Sequence, residues 1–160
     1  MILVVLGTWD KPFIRPLNEI EQAIKSGAVN EKVIVQSGNT EFETVNMEIV
    51  PFFDRIKLEQ LYDEANVIIC QAGVGSIMMG LERGKRIISI ARLKKYDEHI
   101  DDHQVEILDV FSKNRYIIPW QENNFINTLQ EARDFRPEKY PFGSHGIEDS
   151  IINYIEEKFK

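Results

Sequence analysis

Val67-Ile68-Ile69-Cys70-Gln71-Ala72-Gly73-Val74-Gly75-Ser76-Ile77 contains the change of period that decides the fold. Its first four residues are a continuous apolar run rich in β-branched side chains, as expected of a strand buried on both faces of a parallel sheet. Two glycines then mark a turn, and Ile77 to Arg83 predicts a helix closed by Gly84. The same strand-turn-helix unit recurs along the chain. Upstream, Ile2 to Leu6 predicts a strand, and a helix opens near Pro12 with Leu17, Ile20 and Ile24 at helical spacing up to Gly27. Lys32 to Gln36 and Met47 to Val50 predict the next strands, the latter stopped by Pro51. A helix follows from about Asp54 with Ile56, Leu61 and Ala65 as its apolar positions.

Downstream, Arg86 to Ile90 predicts a strand, Ala91 to Asp102 a long polar loop, and His103 to Lys113 a helix. Tyr116 to Ile118 predicts a last short strand and Asn123 to Ala132 a helix. A tail helix from about Gly146 carries Ile147, Ile151, Ile155 and Phe159 at steps of four. Alternation in this order implies an α/β domain: an open, mostly parallel sheet with helices on both faces. No repeat, low-complexity stretch or linker interrupts it, so residues 1–160 are expected to form one domain.

At 160 residues the chain has room for a single substantial core. The net charge of -7 argues against general nucleic-acid binding, which requires a basic surface to displace counterions. Cys70 is the only cysteine, which excludes an intramolecular disulfide. The opening apolar run is too short for a signal-peptide core, and no later segment reaches membrane-spanning length. A cytoplasmic protein is expected.

In sheets of this kind ligands bind outside the carboxyl ends of the strands. The unusual residues of the sequence cluster in those turns. Gly73-Val74-Gly75-Ser76 opens a helix, where unpaired N–H groups and the helix dipole suit a diphosphate and Ser76 adds a hydroxyl. A tight structural turn with Ser76 as a simple cap is the alternative. Gly7-Thr8 ends the first strand, where a second phosphate-facing turn belongs, although glycine there also serves a purely structural bend. Gln36-Ser37-Gly38-Asn39 reads equally as a ligand-facing turn or as ordinary turn chemistry.

The loop from Arg92 to Gln104 mixes three cations, four carboxylates and two of the three histidines. Arg92 or a neighbouring lysine could approach phosphate, and Asp102, His103 and Gln104 could hydrogen-bond sugar hydroxyls. Alternatively the loop is merely solvated, with Asp101 or Asp102 capping the next helix. A zinc site is disfavoured, since His99 and His103 lack a third ligand at metal spacing. His145 stands alone in the tail and reads as surface.

Together, Gly7-Thr8 with Pro12-Phe13, Gln36-Ser37-Gly38, Ala72-Gly73-Val74-Gly75-Ser76 and Asp102-His103-Gln104 resemble, in that order, the C-terminal half of family 28 glycosyltransferases. The resemblance is nearest to the bacterial exopolysaccharide and capsule enzymes of the PssE and EpsF type. It extends more distantly to the dolichol-linked GlcNAc transferases, and it covers residues 1 to about 118. It implies one half of a GT-B fold that binds a UDP-sugar, with no metal or other cofactor required. A separate membrane-anchored chain would supply the other half and the contacts to a lipid-linked acceptor, recruiting this chain to the inner face of the membrane. The apolar steps of the tail helix, 145–160, offer that partner a docking face, or else pack on their own sheet.

By position, the resemblance implies that Gly7 and Thr8 face the diphosphate and that Gln36 to Gly38 line the donor cleft. The Phe53 backbone would read the uracil edge, and Gln71 to Ser76 would hold phosphate. Arg92, Glu98, Asp102, His103 and Gln104 complete the nucleotide-sugar set, with the last two on the sugar. Sugar transfer also needs a base for the acceptor hydroxyl, and His99 is the candidate, because imidazole titrates near neutrality. Three positions depart from the pattern. Trp9 and Gln71 stand where relatives usually have histidine, and Met79 stands where many carry a carboxylate for the ribose. Gln71 can hydrogen-bond but cannot shuttle a proton. That difference leaves open a second reading, a catalytically silent nucleotide-binding or regulatory subunit.

Overall fold

A computed structural model describes residues 1–142 of the chain. Six strands form a single sheet: β1 (Ile2–Val5), β2 (Val33–Gln36), β3 (Glu48–Val50), β4 (Val67–Gln71), β5 (Arg86–Ile90) and β6 (Ile118–Pro119). They lie in the order β3-β2-β1-β4-β5-β6, and every pairing is parallel. The helices are α1 (Arg15–Lys25), α2 (Arg55–Glu64), α3 (Val74–Glu82), α4 (His103–Lys113) and α5 (Phe125–Asp134). The open parallel architecture expected from the sequence is the one observed.

Strand side chains alternate between two cores, as the pleat requires. Ile2, Val4, Val33, Val35, Val67 and Ile69 point to one face, where Leu17 and Ile20 of α1 and Phe125 and Leu129 of α5 cover them. Leu3, Val5, Ile34, Ile68 and Cys70 point to the other, under Leu61 and Tyr62 of α2, Ile77 and Leu81 of α3, and Phe111 of α4. Both faces of β1 and β4 are thus fully covered, which accounts for their unbroken apolar runs.

Several local expectations are corrected. The first helix starts at Arg15 and not near Pro12; Pro16 occupies its first positions, where a missing N–H costs nothing. Phe13 instead plugs the core, its N–H donating to Thr40 Oγ1 at 3.0 Å. Ile56 is 73% exposed. The buried positions of α2 are Leu61 and Tyr62, so the packed face begins more than about one turn after Ile56. The last strand is Ile118–Pro119 and not Tyr116 to Ile118, because Arg115 turns the backbone at φ +57°. The long loop after β5 contains a short 3-10 turn, Lys94–Tyr96. The expected tail helix and His145 lie outside the described residues.

Strand order reverses between β1 and β4: the chain runs outward from β1 through β2 to β3, then crosses back to β4 and outward again. Register places the end of β1, Val5, between Gln36 of β2 and Cys70 of β4. Loops leaving β1 and β4 therefore diverge, and a crevice opens between them at the carboxyl edge.

Candidate functional site

The crevice is a cleft of about 360 Å³ lined by the ends of β1, β2 and β4, the turns after β1 and β4, and residues of α2 and α3. Gly7, Thr8, Gln36 and Gln71 form its floor at the strand ends. Gly73, Gly75, Ser76 and Met79 of the α3 side make one wall, and Leu58 and Tyr62 of α2 make the other. Among the described residues, none of the lining side chains is a lysine, arginine, histidine, aspartate or glutamate.

Gly73 is the N-cap of α3, in extended backbone with no side-chain cap bond. The first helical bond into the turn is Ile77 N–H to Gly73 O, at 3.1 Å. The N–H groups of Val74, Gly75 and Ser76 precede it and have no carbonyl to reach within the helix. Ser76 therefore sits in the first turn and is not the cap that the alternative reading required. A Cβ built on Gly75 would meet nothing within 4 Å, so this residue faces open space.

Gly7 is held at φ +79°, and a Cβ there would fall 1.9 Å from Gln71 Nε2. Only glycine lets the end of β1 and the side chain of Gln71 share that space. Gly38, at φ +59°, passes so close to Gly7 that a Cβ would lie 2.2 Å from the Gly7 carbonyl oxygen. The turn after β2 thus has a packing role in two of its three candidate residues. Ser37 is buried, its N–H donating to Val50 O, and Gly38 supports Gly7. Of Gln36, Ser37 and Gly38, only Gln36 lines the cleft. Its Oε1 accepts the N–H of Phe53 at 3.0 Å, so within the Phe53 backbone expected to read a base edge the N–H is bonded to the protein.

Arg92 is the largest fully buried side chain, and it does not reach into the cleft as expected of a phosphate ligand. Its Nε donates to Gln71 Oε1 at 2.7 Å, Nη2 to Leu6 O at 2.9 Å, and Nη1 to Lys11 O at 2.7 Å and Glu98 O at 3.1 Å. The guanidinium also lies 4.7 Å over the Phe13 ring. Burial pulls its pKa down to about 10, against the opposing charges of Glu98 and Asp10. Glu98 is likewise committed to the scaffold: it pairs through both carboxylate oxygens with Arg15, at 2.7 Å each, and accepts the Leu93 N–H. Together these bonds clasp the loops after β1 and β5 from behind.

That clasp fixes the orientation of Gln71. Arginine can only donate, so Gln71 presents Oε1 to it and turns its NH₂ group toward Gly7, Gly73 and the cleft. Gln104, also buried, accepts the Arg92 N–H through Oε1 at 3.0 Å and lies 3.5 Å from Gln71 Oε1 through Nε2. Ala72 is fully buried in the same turn.

The histidines form a separate group at the rim. His99 Nδ1 lies 2.9 Å from Asp101 Oδ1, and His103 Nε2 lies 2.9 Å from Asp101 Oδ2. One carboxylate therefore orients two imidazoles. His99 also stacks on Trp9, ring centroids 4.5 Å apart, and the buried indole N–H of Trp9 has no hydrogen-bond partner among the described residues. His99 is not among the residues lining the cleft. Asp102 occupies the N-cap position of α4, but its side chain accepts from Lys94 N–H instead, at 2.8 Å; Asp101 accepts the His103 N–H. Among the described residues, no cluster of three or more His, Cys, Asp or Glu is arranged for a metal ion.

Sequence reasoning missed Leu58 and Tyr62. Tyr62 is fully buried, and its hydroxyl donates to Ser76 O at 3.2 Å, tying α2 to the first turn of α3.

Residues 1–140 match the model of the glycosyltransferase family 28 C-terminal domain. The chain is 29% identical over 98 residues to the UDP-N-acetylglucosamine transferase subunit ALG13 of Candida albicans, covering 59% of this chain and 32% of that protein. The corresponding subunit of Yarrowia lipolytica is also 29% identical, over 91 residues, covering 55% of this chain and 44% of that one. The chain thus spans less than half the length of these curated relatives. Among solved structures, ALG13 in solution superposes with a TM-score of 0.57 at 18% identity, covering 97% of this chain and 96% of that one. MurG of Acinetobacter baumannii superposes with a TM-score of 0.57 at 19% identity, covering 98% of this chain and 49% of that one. At these identities the superpositions bear on the fold.

Proposed function

The chain belongs to the glycosyltransferase family 28 C-terminal domain, and on that premise we propose that it is the donor-binding part of a UDP-sugar-dependent glycosyltransferase whose other half is a separate chain. The observation that carries this reading is the convergence of the Gly7-Thr8 turn and the opening of α3 on one cleft at the strand-order reversal. The N–H groups of Val74, Gly75 and Ser76, the Gln71 NH₂ and the hydroxyls of Thr8 and Ser76 supply donors for the two phosphates of a UDP-sugar.

In this proposal the acceptor hydroxyl attacks the anomeric carbon with inversion, and UDP departs with the bonding electrons. Donors fixed before the reaction stabilise the charge that grows on the leaving diphosphate. Gln71 suits that task because Arg92 holds its amide in one orientation. A base must take the acceptor proton. His99, oriented by Asp101, is the candidate on this chain, and it serves only if the partner delivers the acceptor to the rim. No helix among the described residues is long and apolar enough to cross a membrane. In this proposal a membrane-anchored partner presents the lipid-linked acceptor. The relatives matched are themselves transferase subunits by name. Resemblance to the exopolysaccharide and capsule enzymes makes a bacterial surface polysaccharide the proposed product, assembled at the inner face of the membrane.

A second reading, a catalytically silent nucleotide-binding subunit, draws on Gln71, which cannot carry a proton where relatives usually have histidine. Sugar transfer assayed with and without the partner chain, beside UDP calorimetry, separates the two. UDP binding with turnover only in the complex supports the first reading. UDP binding without turnover in either condition supports the second, and no UDP binding defeats both.

A further inference from the structure

Gly80 lies inside α3, where glycine favours a helix less than alanine would. Its packing accounts for it. Ile77, Gly80 and Leu81 are the buried residues of the helix, on the face that meets the sheet. A Cβ built on Gly80 would fall 2.7 Å from Ile87 Cδ1 and 3.1 Å from Ile87 Cγ1, on β5, with Tyr62 Cε1 at 3.7 Å. Ile87 is fully buried in the core that also holds Tyr62, Ile77 and Leu81, so its side chain has little room to withdraw. The helix rests on the strand here with no space for a methyl group.

The two ends of α3 are held unequally. Just beyond Gly80 the chain turns into the sheet: Lys85 N–H donates to Gly80 O at 2.9 Å, Gly84 N–H to Leu81 O at 3.0 Å, and β5 begins at Arg86. At the cleft end the N–H groups of Val74, Gly75 and Ser76 have no helical carbonyl to reach. Tyr62 Oη steadies that end from α2 by donating to Ser76 O at 3.2 Å, about one helical turn from Gly80. A push at Gly80 therefore tilts the first turn and leaves the anchored end in place.

Resting on the donor-binding reading above, we propose that Gly80 is a positioning residue of the donor site. Its missing side chain sets the depth at which the first turn of α3 meets the diphosphate, and Tyr62 holds that depth from the α2 side.

Calorimetry with UDP and NMR titration with uridine, which carries no phosphate, test this on Gly80→Ala, its folding checked by circular dichroism. UDP affinity is expected to fall by about tenfold, because a tilted turn misplaces several donors at once, while uridine affinity stays within about twofold. Adding Ile87→Val removes the Cδ1 that the new methyl group meets, and most of the UDP affinity is expected to return. Unchanged UDP affinity in folded Gly80→Ala, equal losses for UDP and uridine, or no recovery in the folded double variant overturns the proposal and leaves the donor-binding reading standing. Should Gly80→Ala not fold, Tyr62→Phe carries the test, since it keeps the ring and removes only the bond to Ser76. UDP binding weakened by about threefold with uridine unaffected supports the proposal, and unchanged UDP binding overturns it. A wild-type chain that binds neither ligand overturns the donor-binding reading and this proposal with it.

Discussion

Arg92 Nε donates to Gln71 Oε1 across 2.7 Å, joining the loop after β5 to the centre of the cleft floor. The same guanidinium ties down the carbonyls of Leu6, Lys11 and Glu98. Arg92→Met would leave these buried acceptors without donors, at about 1–3 kcal/mol for each one left unmet. A loss of at least about 3 kcal/mol in urea unfolding is expected, with weakened UDP binding at temperatures where the variant is still folded. Wild-type stability in Arg92→Met would show that the clasp is dispensable.

Gln71→Glu separates stability from ligand binding. A carboxylate at this position still accepts from Arg92, now with charge assistance, so the melting temperature should hold or rise. It also puts negative charge where the amide NH₂ faced the cleft. UDP affinity should therefore fall by about tenfold or more at neutral pH, the size of one lost charge-assisted contact. Undiminished UDP binding would mean that the nucleotide lies elsewhere.

The two glycines at the cleft predict opposite outcomes. Gly75→Asp adds its Cβ to open space, so the fold should survive while UDP binding is abolished by bulk and charge at the phosphate position. Gly7→Ala places a Cβ 1.9 Å from Gln71 Nε2 at a positive φ, so the fold itself should suffer. Calorimetry and thermal melting on both variants check the pair. Normal UDP affinity in folded Gly75→Asp would refute the phosphate placement.

Cys70 is fully buried, and burial pushes its thiol pKa up to about 12. The reactive thiolate is then scarce at pH 8, on the order of one part in ten thousand. A thiol-specific disulfide reagent at pH 8 should leave the native chain unlabelled and modify it fully in denaturant. Rapid labelling of the native protein would show that the β4 core opens readily.

The architecture was legible because its signals are local. Val67 to Cys70 followed by two glycines marks a strand, a turn and a helix within a single window, and every strand pairing is parallel as that repetition requires. Gly7, Gln71, Gly73, Gly75 and Ser76 were legible for the same reason, and the cleft gathers them all. The role of Arg92 was not legible. Its partners Leu6 and Lys11 lie more than 80 residues away in sequence, and a charged residue in a polar loop reads as exposed until the sheet brings those carbonyls together. Ile56 fits helical spacing yet lies in the first turn of α2, ahead of the buried Leu61 and Tyr62. Periodicity identifies a face but not where the neighbouring surface begins.

Among the described residues the cleft is lined by dipoles and no ions: amide N–H groups, hydroxyls and the carboxamides of Gln36 and Gln71. With no lysine or arginine lining it among the described residues, a diphosphate bound there would displace no counterions from cationic partners. Its affinity should change little as sodium chloride is raised through the range that screens surface charge. Such a pocket would hold a diphosphate alike at low and high ionic strength, and would release it without having to break an ion pair.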